Sequence, residues 1–354
     1  MEETATTYSD NISMETVAIA ILNFNGKDHL QQFLPSVSKY SASAKIYVID
    51  NASADDSVSF IRSSYPEIEI IINESNYGFA GGYNYGMLSI SEDLVVLLNS
   101  DVEVTENWLL PLTAAMQNKT IAGCQPKIKS FQNRDSFEHA GACGGFMDVD
   151  YFPFCRGRLF NDIEVDSGQY ETELNVFWVS GAAFMIRNSV FKEMNGFDSD
   201  FFAHMEEIDL CWRIQRSGLE FKVIPSSTVY HLGGGTMAYE SPTKLYLNFR
   251  NNLFMLIKNH PGFLLPKLLR RMTLDGIAAI KFLFEGKWKF FWVVFLAHVA
   301  IYSNFSKMYQ KRRALKKYKK KPKGIYSGSI LWANFIQRVK TFSDLNQQKL
   351  KLGN

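Results

Sequence analysis

The chain has 354 residues, 46% of them hydrophobic and 21% charged, which is enough for one large α/β domain with an appended segment. The formal net charge is only +2, so no overall positive field argues for a nucleic-acid partner. Four cysteines lie far apart without a CxxC spacing, which indicates reduced thiols in a cytosolic protein and argues against a zinc site.

The first 16 residues are polar and acidic, with neither a basic nor an apolar stretch. This composition predicts a flexible leader over residues 1–15 and not a signal peptide. We therefore expect a cytoplasmic protein.

Apolar runs of strand length alternate with helix-like stretches in the first hundred residues. The runs cover 17–22, 45–49, 68–72 and 94–98. The helix-like stretches cover about 27–39, 55–64 and 81–89. This alternation predicts an α/β fold with a mostly parallel sheet between helices, in which ligands bind at the carboxyl ends of the strands. The polar residues just beyond those ends are Asn25, Asp50, Asn76 and Asp101.

One of these residues, Asp101, ends the sequence Asn99-Ser100-Asp101 after the fourth run. A hard divalent cation such as Mg²⁺ or Mn²⁺ takes few protein carboxylates and completes its shell with phosphate oxygens. We interpret Asp101 as a ligand of such a metal, which would neutralise charge on a diphosphate leaving group. An ordinary acidic turn after a strand is the alternative.

A second acidic cluster, Glu206, Glu207 and Asp209, opens a helix predicted over 206–217 and closed by Gly218. Acids at a helix start are often only capping groups, because the helix dipole favours negative charge there. Three carboxylates within one turn also raise one another's pKa, which suits a general base. We therefore predict a catalytic base in this cluster.

Two further features are ambiguous from the residues alone. His231 ends an apolar run before three glycines, and it becomes a metal ligand only if folding brings it beside Asp101. The glycine-rich stretch 76–86 enters a helix and could present backbone N–H groups to a nucleotide. It lacks the GxGxxG and GK[ST] patterns.

The composition changes after residue 262. Aromatic and apolar residues dominate 290–302, and the basic run 311–321 follows. The apolar stretch is shorter than the roughly 20 residues of a spanning helix. We predict a helical extension over 262–354 that lies on an anionic membrane surface at the inner face of the plasma membrane. A helical cap with a solvated basic tail is the alternative.

Seven motifs together resemble the inverting glycosyltransferases of family 2, which have the GT-A (nucleotide-diphospho-sugar transferase) fold. They cover roughly residues 17–260 in the family's order, and the subgroup they resemble contains bacterial rhamnosyltransferases and galactofuranosyltransferases. The motifs are ILNFNG (21–26), VIDNAS (48–53), NYGFAGGYN (76–84), LLNSDVEV (97–104), WVSGAAFMIRNSVFKEMNGFDSDFF (178–202), EEIDLCWRIQRSG (206–218) and YHLGGGT (230–236). The resemblance implies a catalytic domain over 16–261.

The resemblance also implies roles for individual residues. Glu207 falls at the family's catalytic base, with Glu206 and Asp209 as neighbouring candidates. Asn99 replaces the first acid of the family's DXD motif, so the metal would rest on Asp101 and His231. Contacts to the donor nucleotide are implied for Asn23, Asn25, Asp50, Asn76, Gly78, Asn84, Asn99, Ser100, Asp101 and Arg250. Contacts to the acceptor are implied for Trp178, Ser180 and Gly181.

The implied function is metal-dependent, inverting transfer of a sugar from a UDP- or dTDP-sugar to a hydroxyl of a glycan or lipid-linked glycan, in bacterial surface polysaccharide synthesis. A sugar-nucleotide nucleotidyltransferase is one alternative, but its N-terminal loop rich in Gly, Arg and Pro is missing from ILNFNGKDHL. A non-catalytic carbohydrate- or membrane-binding protein is the other. The motifs leave the donor sugar, the acceptor and the oligomeric state open.

Overall fold

The structure is a computed structural model that describes residues 15–139, 141–233 and 241–353. The leader predicted over residues 1–15 lies almost entirely outside the described residues, as do residues 234–236 of the last motif.

The strands and helices follow the order expected of an α/β protein. In chain order the strands are β1 (Val17–Asn23), β2 (Lys45–Asp50), β3 (Glu69–Ile72), β4 (Leu94–Asn99), β5 (Val102–Val104), β6 (Ile121–Ser130), β7 (Gly145–Asp148), β8 (Pro153–Cys155), β9 (Arg158–Leu159), β10 (Asp162–Ile163), β11 (Leu174–Val176), β12 (Ala183–Arg187), β13 (Glu220–His231), β14 (Ile325–Tyr326) and β15 (Leu350–Lys351). The α-helices are α1 (Lys27–Tyr40), α2 (Ser57–Ser64), α3 (Gly78–Gly86), α4 (Leu109–Ala115), α5 (Asn188–Glu193), α6 (Glu206–Ser217), α7 (Pro242–Asn259), α8 (Leu264–Phe284) and α9 (Trp288–Ala314).

The larger sheet has the strand order β11-β13-β6-β12-β4-β1-β2-β3, with β5 paired to β13. The pairs β1–β2, β1–β4, β2–β3 and β6–β13 are parallel, whereas β12 runs antiparallel to both β4 and β6. The four strands predicted from the apolar runs are confirmed within one residue at each end. The helix predicted over 206–217 is α6, and Gly218 ends it in a left-handed conformation (φ 116°).

Alternation along the strands divides the apolar side chains between two cores, one on each face of the larger sheet. Ala18 and Ala20 of β1 belong to one core, and Ile19 and Ile21 belong to the other. Such runs are apolar on both faces because helices cover both sides of the sheet. The edge at the strand ends is left for polar groups.

The segment after residue 261 contributes more than the predicted helices. Strands β14 and β15 follow α8 and α9, and β14 pairs in parallel with β7. They complete the smaller sheet, which has the order β10-β9-β8-β7-β14-β15. Because this sheet combines strands from both sides of residue 261, the division into domains 16–261 and 262–354 stays a prediction.

The basic run predicted as a solvated or membrane-facing tail is partly built into the protein. Lys311 Nζ lies 2.5 Å from Asp198 Oδ1 and 2.7 Å from Asp200 Oδ2. Arg312 is buried and donates to the carbonyl oxygens of Ile257 and Gly262. The first part of the run therefore fastens α9 to the end of α7 and to the segment that contains Asp198 and Asp200. No helix within the described residues is long and apolar enough to cross a bilayer.

Candidate active site

The carboxyl ends of β1, β2 and β4 form one edge of the larger sheet. In the parallel register Asn23 pairs with Asp50, and Leu22 pairs with Asn99. The final residues of three neighbouring strands therefore lie side by side. This edge, where open α/β sheets bind ligands, brings together the residues predicted from the strand ends.

Asp50 is the centre of a hydrogen-bond network that fixes the loop after β2. Its Oδ1 accepts a 3.0 Å bond from Asn23 Nδ2, and its Oδ2 accepts a 2.9 Å bond from the Ser53 N–H. Asn25 holds the same loop, since its Oδ1 accepts a 2.7 Å bond from the Ala54 N–H. Both oxygens of Asp50 thus have partners within the chain, and its contact with the donor nucleotide stays a prediction.

An open cleft of about 380 Å³ lies beside this network. Its lining residues are polar or small and come from the ends of β1 and β2. They are Asn25, Lys27, Asp28, Ala54, Asp55 and Asp56. Asn99 and Ser100 are half-buried at the neighbouring end of β4.

Asp101 and His231 are brought together although they are 130 positions apart in the sequence. Strand β5 directly follows Asp101, and its pairing with β13 sets Val102 opposite His231. As a result, Asp101 Oδ1 lies 3.1 Å from His231 Nε2. Both side chains are buried. The condition under which His231 was expected to become a metal ligand is therefore met.

Carboxylates determine the protonation of His231. Burial by itself would lower the pKa of His231, but Asp101 and Glu138 raise it to about 10. Glu138 Oε1 lies 3.5 Å from His231 Nδ1. Burial likewise works against ionisation of Asp101, yet the His231 charge keeps the Asp101 pKa below its ordinary value. An imidazolium therefore lies between two carboxylates.

The same two residues fit a divalent metal. A carboxylate oxygen and an imidazole nitrogen are both ligands that such an ion accepts. Asp101 Oδ1 and His231 Nε2 are 3.1 Å apart and hydrogen-bonded to each other, so together they would hold the ion in place of the shared proton. Across 15–139, 141–233 and 241–353 no group of three His, Cys, Asp or Glu side chains forms a metal site. Water and phosphate oxygens would supply the remaining ligands.

The loop before α6 is strained. Phe202, His204 and Met205 have φ values of 64°, 69° and 71°, a region that non-glycine residues rarely adopt. The buried side chain of Asn251 holds the loop by donating to three carbonyl oxygens, those of Phe201, Ala203 and His204, at 2.8–2.9 Å. Glu206 and Glu207 follow as the first residues of α6.

Among the described residues, Glu206 and Glu207 each have one carboxyl oxygen, Oε2, that is buried without a hydrogen-bond partner. Backbone N–H groups at the start of α6 lie near enough to both carboxyl groups to oppose the rise in their pKa values. Burial raises the pKa of Glu207 to about 7. The pKa of Glu206 lies well above its ordinary value, because of burial and then the charge of Glu207. Such carboxyl groups exchange protons near neutral pH.

Asp209 does not share this environment. Its Oδ2 accepts bonds from Arg213 Nε at 2.8 Å and Lys258 Nζ at 2.7 Å, and its Oδ1 accepts a 2.7 Å bond from Asn259 Nδ2. The side chain is fully buried. The prediction of Asp209 as a candidate base is therefore corrected: it is the acidic partner in an ion-pair network between α6 and α7.

The glycine-rich motif supports the strained loop instead of leaving its N–H groups open. The Phe79 and Ala80 N–H groups both donate to the Phe202 carbonyl oxygen, at 2.9 and 3.2 Å. Asn84 bonds with its side-chain amide to both the N–H and the carbonyl oxygen of Phe197. The predicted donor contact of Asn84 is thus replaced by a structural role.

Gly78 and Asn76 begin the same motif. Gly78 has φ +70°, and an added Cβ would lie 2.6 Å from the Phe202 ring. Asn76 is exposed, and its Oδ1 accepts 2.9 Å bonds from the Gly78 N–H and from Asn51 Nδ2. The amide nitrogen of Asn76 stays a predicted donor contact.

Arg250 also supports the strained loop. Its Nη2 donates to the carbonyl oxygens of Asp200 and Phe201, at 3.2 and 3.1 Å. The Nε and Nη2 groups of Arg250 thus have partners within the chain, and its contact with the donor nucleotide stays a prediction.

Two of the three predicted acceptor residues are buried. Trp178 is only 5% exposed, and its Nε1 donates a 3.0 Å bond to the Phe146 carbonyl oxygen. The Ser180 N–H donates to Gln125 Oε1. Gly181 is half-buried beside the Phe79 ring. The structure therefore assigns Trp178 and Ser180 to the core and leaves Gly181 as the acceptor prediction.

Sequence reasoning missed Glu138 and Lys244. Glu138 approaches His231 only because the chain returns antiparallel to the end of β6. Lys244 lies in the first turn of α7. Burial lowers the pKa of Lys244, and the charge of the nearby Glu138 carboxylate opposes that lowering. The Lys244 charge also acts on His204, whose pKa burial lowers to about 4. Lys244 therefore links the Asp101–His231 pair to the loop that carries Glu207.

Comparison with known proteins agrees with this geometry. Residues 18–194, half of the chain, match the sequence profile described as Glycosyl transferase family 2. The chain belongs to glycosyltransferase family 2. It is a glycosyltransferase, as the motifs implied.

Relatives of this family 2 glycosyltransferase include two that align over most of their own length. The hexosyltransferase Agl10 of low-salt glycan biosynthesis from Haloferax volcanii is 25% identical over 67% of this chain and 74% of its own. The N-acetylglucosaminyl-diphospho-decaprenol L-rhamnosyltransferase of Mycobacterium tuberculosis is 22% identical over 75% of this chain and 92% of its own.

Solved structures show that the glycosyltransferase has the predicted GT-A fold. The crystal structure of GalNAc-T7 with UDP, GalNAc and Mn²⁺ superposes with a TM-score of 0.61 at 15% identity. The match covers 97% of this chain and 59% of that one. The central sheet and the C-terminal helices both belong to the fold as predicted.

Proposed function

We propose that this glycosyltransferase moves a sugar, with inversion, from a UDP- or dTDP-sugar to a hydroxyl of a glycan or lipid-linked glycan. The observation that carries the proposal is the environment of Glu207 at the start of α6. Its carboxyl group has a pKa of about 7, and its Oε2 has no hydrogen-bond partner among the described residues. A base of this kind suits removal of a proton from a sugar hydroxyl.

In the proposed reaction, Glu207 accepts the acceptor's hydroxyl proton. The hydroxyl oxygen forms a bond to the anomeric carbon from the face opposite the diphosphate, and the bond between that carbon and the diphosphate oxygen breaks. The nucleoside diphosphate leaves with the bonding electron pair. Asn251 acts as a positioning residue, because it holds the carbonyl groups of the loop that carries Glu207.

We propose Asp101 and His231 as the residues that hold a divalent metal, Mg²⁺ or Mn²⁺. Such an ion supplies Lewis-acid neutralisation of the diphosphate charge. The 3.1 Å separation of Asp101 Oδ1 and His231 Nε2 supports the pairing. The Mn²⁺ in the structure of GalNAc-T7 supports the choice of ion. To hold such an ion, His231 would have to release the proton that it carries between Asp101 and Glu138.

We propose that the acceptor is a lipid-linked glycan of bacterial surface polysaccharide synthesis, with the protein in the cytoplasm at the inner face of the membrane. The Mycobacterium tuberculosis relative is named for a diphospho-decaprenol acceptor, which supports a polyprenyl carrier. Family membership favours glycosyl transfer over the nucleotidyltransferase and the non-catalytic binding protein considered from the sequence.

The proposal is tested by donor screening and by matched variants. Metal-dependent thermal stabilisation by one UDP- or dTDP-sugar, lost in Asp101→Ala, supports the proposed donor class. Glu207→Gln should abolish transfer, with a fall in kcat of about 10³-fold or more, and should keep donor-induced stabilisation. If Glu207→Gln retains near-normal turnover while Glu206→Gln does not, the base is Glu206. Full activity in both variants excludes the proposed base chemistry.

A further inference from the structure

Helices α8 and α9 form an antiparallel hairpin whose outer surface is apolar. The exposed side chains on α8 are Leu265, Leu269, Ile277, Ile280, Leu283 and Phe284. Those on α9 are Trp288, Trp292, Phe295, Leu296, Val299 and Tyr302. Each of these twelve side chains is between 44% and 89% exposed. We call this set the hairpin face.

The hairpin face is a second apolar stripe, separate from the one that packs on the protein. On α9 the buried positions are Val294, Ala297 and Ile301. The exposed positions 288, 292, 295, 299 and 302 follow one another at spacings of three or four residues, so they share the opposite side of the helix. A helix with apolar residues on two sides needs a second apolar environment.

The most exposed part of the apolar stripe on α9 runs from Trp288 to Tyr302, about 21 Å at 1.5 Å per residue. Phe305 and Tyr309 extend it with lower exposure, 39% and 41%. In the same part of the helix Lys307 pairs with Asp200, and Lys311 pairs with Asp198 and Asp200.

The apolar surface continues onto the C-terminal segment. Trp332, Phe335 and Ile336 are between 57% and 60% exposed. The Nζ of Lys281 on α8 lies 5.7 Å from the centre of the Phe335 ring, so this segment lies beside α8. The apolar area thus extends beyond a single helix, which is larger than the scattered exposure normal for a soluble surface.

Charge at the hairpin tip indicates what covers the face. Lys281, Lys287 and Lys289 surround the tip, where Glu285 pairs with Lys281 at 3.5 Å and with Lys287 at 3.7 Å, so the tip keeps an excess of positive charge. In a two-fold dimer whose axis passes near the tip, these like charges would approach one another, which disfavours association. Anionic lipid headgroups neutralise the same lysines, and aromatic rings are well suited to the boundary between headgroups and acyl chains.

We propose that the hairpin face docks on a bilayer that contains anionic phospholipids, with its aromatic side chains at the headgroup boundary and without spanning the membrane. The sequence predicted surface attachment of the extension through its aromatic stretch 290–302 and the basic run 311–321. Lys311 and Arg312 are occupied within the protein, whereas the lysines at 316, 317 and 319–321 are exposed and add to the positive charge of the extension. Docking would hold the loop before Glu206 near the bilayer through Lys307 and Lys311, which suits a lipid-linked acceptor.

Vesicle sedimentation of the full chain tests the proposal without any nucleotide-sugar, so its outcome is independent of the proposed reaction. We expect sedimentation with phosphatidylglycerol-containing vesicles and much less with phosphatidylcholine alone. Phe284→Glu combined with Trp292→Glu should weaken binding about tenfold or more. The matched control is Leu110→Glu, on α4, whose side chain is also exposed (67%). It should bind as the unaltered protein does.

Two further measurements decide the outcome. Lipids brominated on the upper acyl chain should quench tryptophan fluorescence, and the quenching should fall in Trp288→Phe/Trp292→Phe. Failure of the unaltered protein to bind anionic vesicles overturns the proposal, as does equal binding by Phe284→Glu/Trp292→Glu. If the unaltered protein binds no vesicles but forms a dimer in analytical ultracentrifugation, and Phe284→Glu/Trp292→Glu abolishes that dimer, the hairpin face is an interface with a second copy of the chain.

Discussion

The side-chain amide of Asn251 lies 2.8 Å from the carbonyl oxygen of His204, and the same nitrogen bonds the carbonyl oxygens of Phe201 and Ala203. One buried group on α7 thus stabilises a loop with three left-handed residues. The unfavourable backbone conformation of the loop persists because its carbonyl oxygens are already hydrogen-bonded within the protein and gain nothing by turning toward water. The position of Glu207 therefore depends on a residue that lies 44 positions away.

Replacing Asn251 should loosen the loop. Asn251→Ala removes the two N–H groups shared among three carbonyl oxygens and the oxygen that accepts from Arg250 Nε, and we expect a loss of about 3 kcal/mol in the free energy of unfolding at roughly 1 kcal/mol for each of these three hydrogen-bonding groups. The value of kcat should fall more than the donor affinity, because the donor site lies at the sheet edge. Denaturant titration and steady-state kinetics measure the two effects. Asn248→Ala, on the same helix but half-buried where Asn251 is fully buried, is the control and should change neither. Normal kcat in Asn251→Ala contradicts the positioning role.

The pKa of Glu207 predicts how activity depends on pH. A base must be ionised to accept a proton, so kcat should rise with pH up to about 7 and then level off. Below that value the rate should fall about tenfold per pH unit. A pH profile of kcat in the presence of saturating donor measures this. A profile that is flat from pH 5 to 8 contradicts proton abstraction by Glu207.

The same raised pKa values predict the pH dependence of stability. Glu206 and Glu207 bind protons more tightly in the folded protein than in the unfolded chain. The free energy of unfolding of the metal-free protein should therefore decrease as pH rises from the unfolded-chain pKa, about 4.5, toward 7. Urea titrations across this range should show a shallower decrease in Glu206→Gln/Glu207→Gln. An unchanged slope contradicts the raised pKa values.

Metal binding should release a proton from His231. The carboxylates of Asp101 and Glu138 raise the pKa of His231 to about 10, so at pH 8 the metal-free protein carries this proton and the metal complex does not. Calorimetric titration with Mn²⁺ and a nucleoside diphosphate in buffers of different ionisation enthalpy should give about one proton released. Glu138→Gln should lower the His231 pKa, as measured by NMR. Proton-neutral binding contradicts His231 as a ligand.

Gly78 and Gly276 provide a matched pair of substitutions. Gly78→Ala places a Cβ 2.6 Å from the Phe202 ring at φ +70°, so we expect a loss of about 2 kcal/mol or more. Gly276 lies inside α8 with no atom within 4 Å of an added Cβ. Gly276→Ala should stabilise by roughly 0.5–1 kcal/mol. Thermal unfolding measures the stability of the two variants. Equal melting temperatures would contradict the close contact between Gly78 and the Phe202 ring.

The extent of prediction from sequence differs between the sheet and the site. Strands β1 to β4 are predictable from the sequence because both faces of each strand are buried, so each strand appears as a continuous apolar run of strand length. The residues at their carboxyl ends are predictable for the same reason. Strands β14 and β15 were missed, because each is two residues long. Strand β14 pairs with β7, almost 180 positions earlier, and β15 pairs in turn with β14.

The roles within the site were harder to predict. Asp209 has the same charge and nearly the same position as Glu207, yet Lys258 of α7 neutralises it and Asn259 of α7 donates a hydrogen bond to it. Asn84 belongs to a recognisable motif, yet its amide bonds the Phe197 backbone. Both differences arise from contacts across more than 40 positions, which motif spacing does not contain.

By itself, the sequence determined the fold class, the family and the edge of the sheet where the polar residues collect, since these follow from apolar periodicity and local motifs. Only the tertiary structure decided which of those residues meet. Pairing of β5 with β13 places His231 beside Asp101, and α7 separates the structural Asp209 from the unpartnered Glu207. A carboxylate acquires its chemistry from burial and from the charges around it, and these are properties of the folded chain.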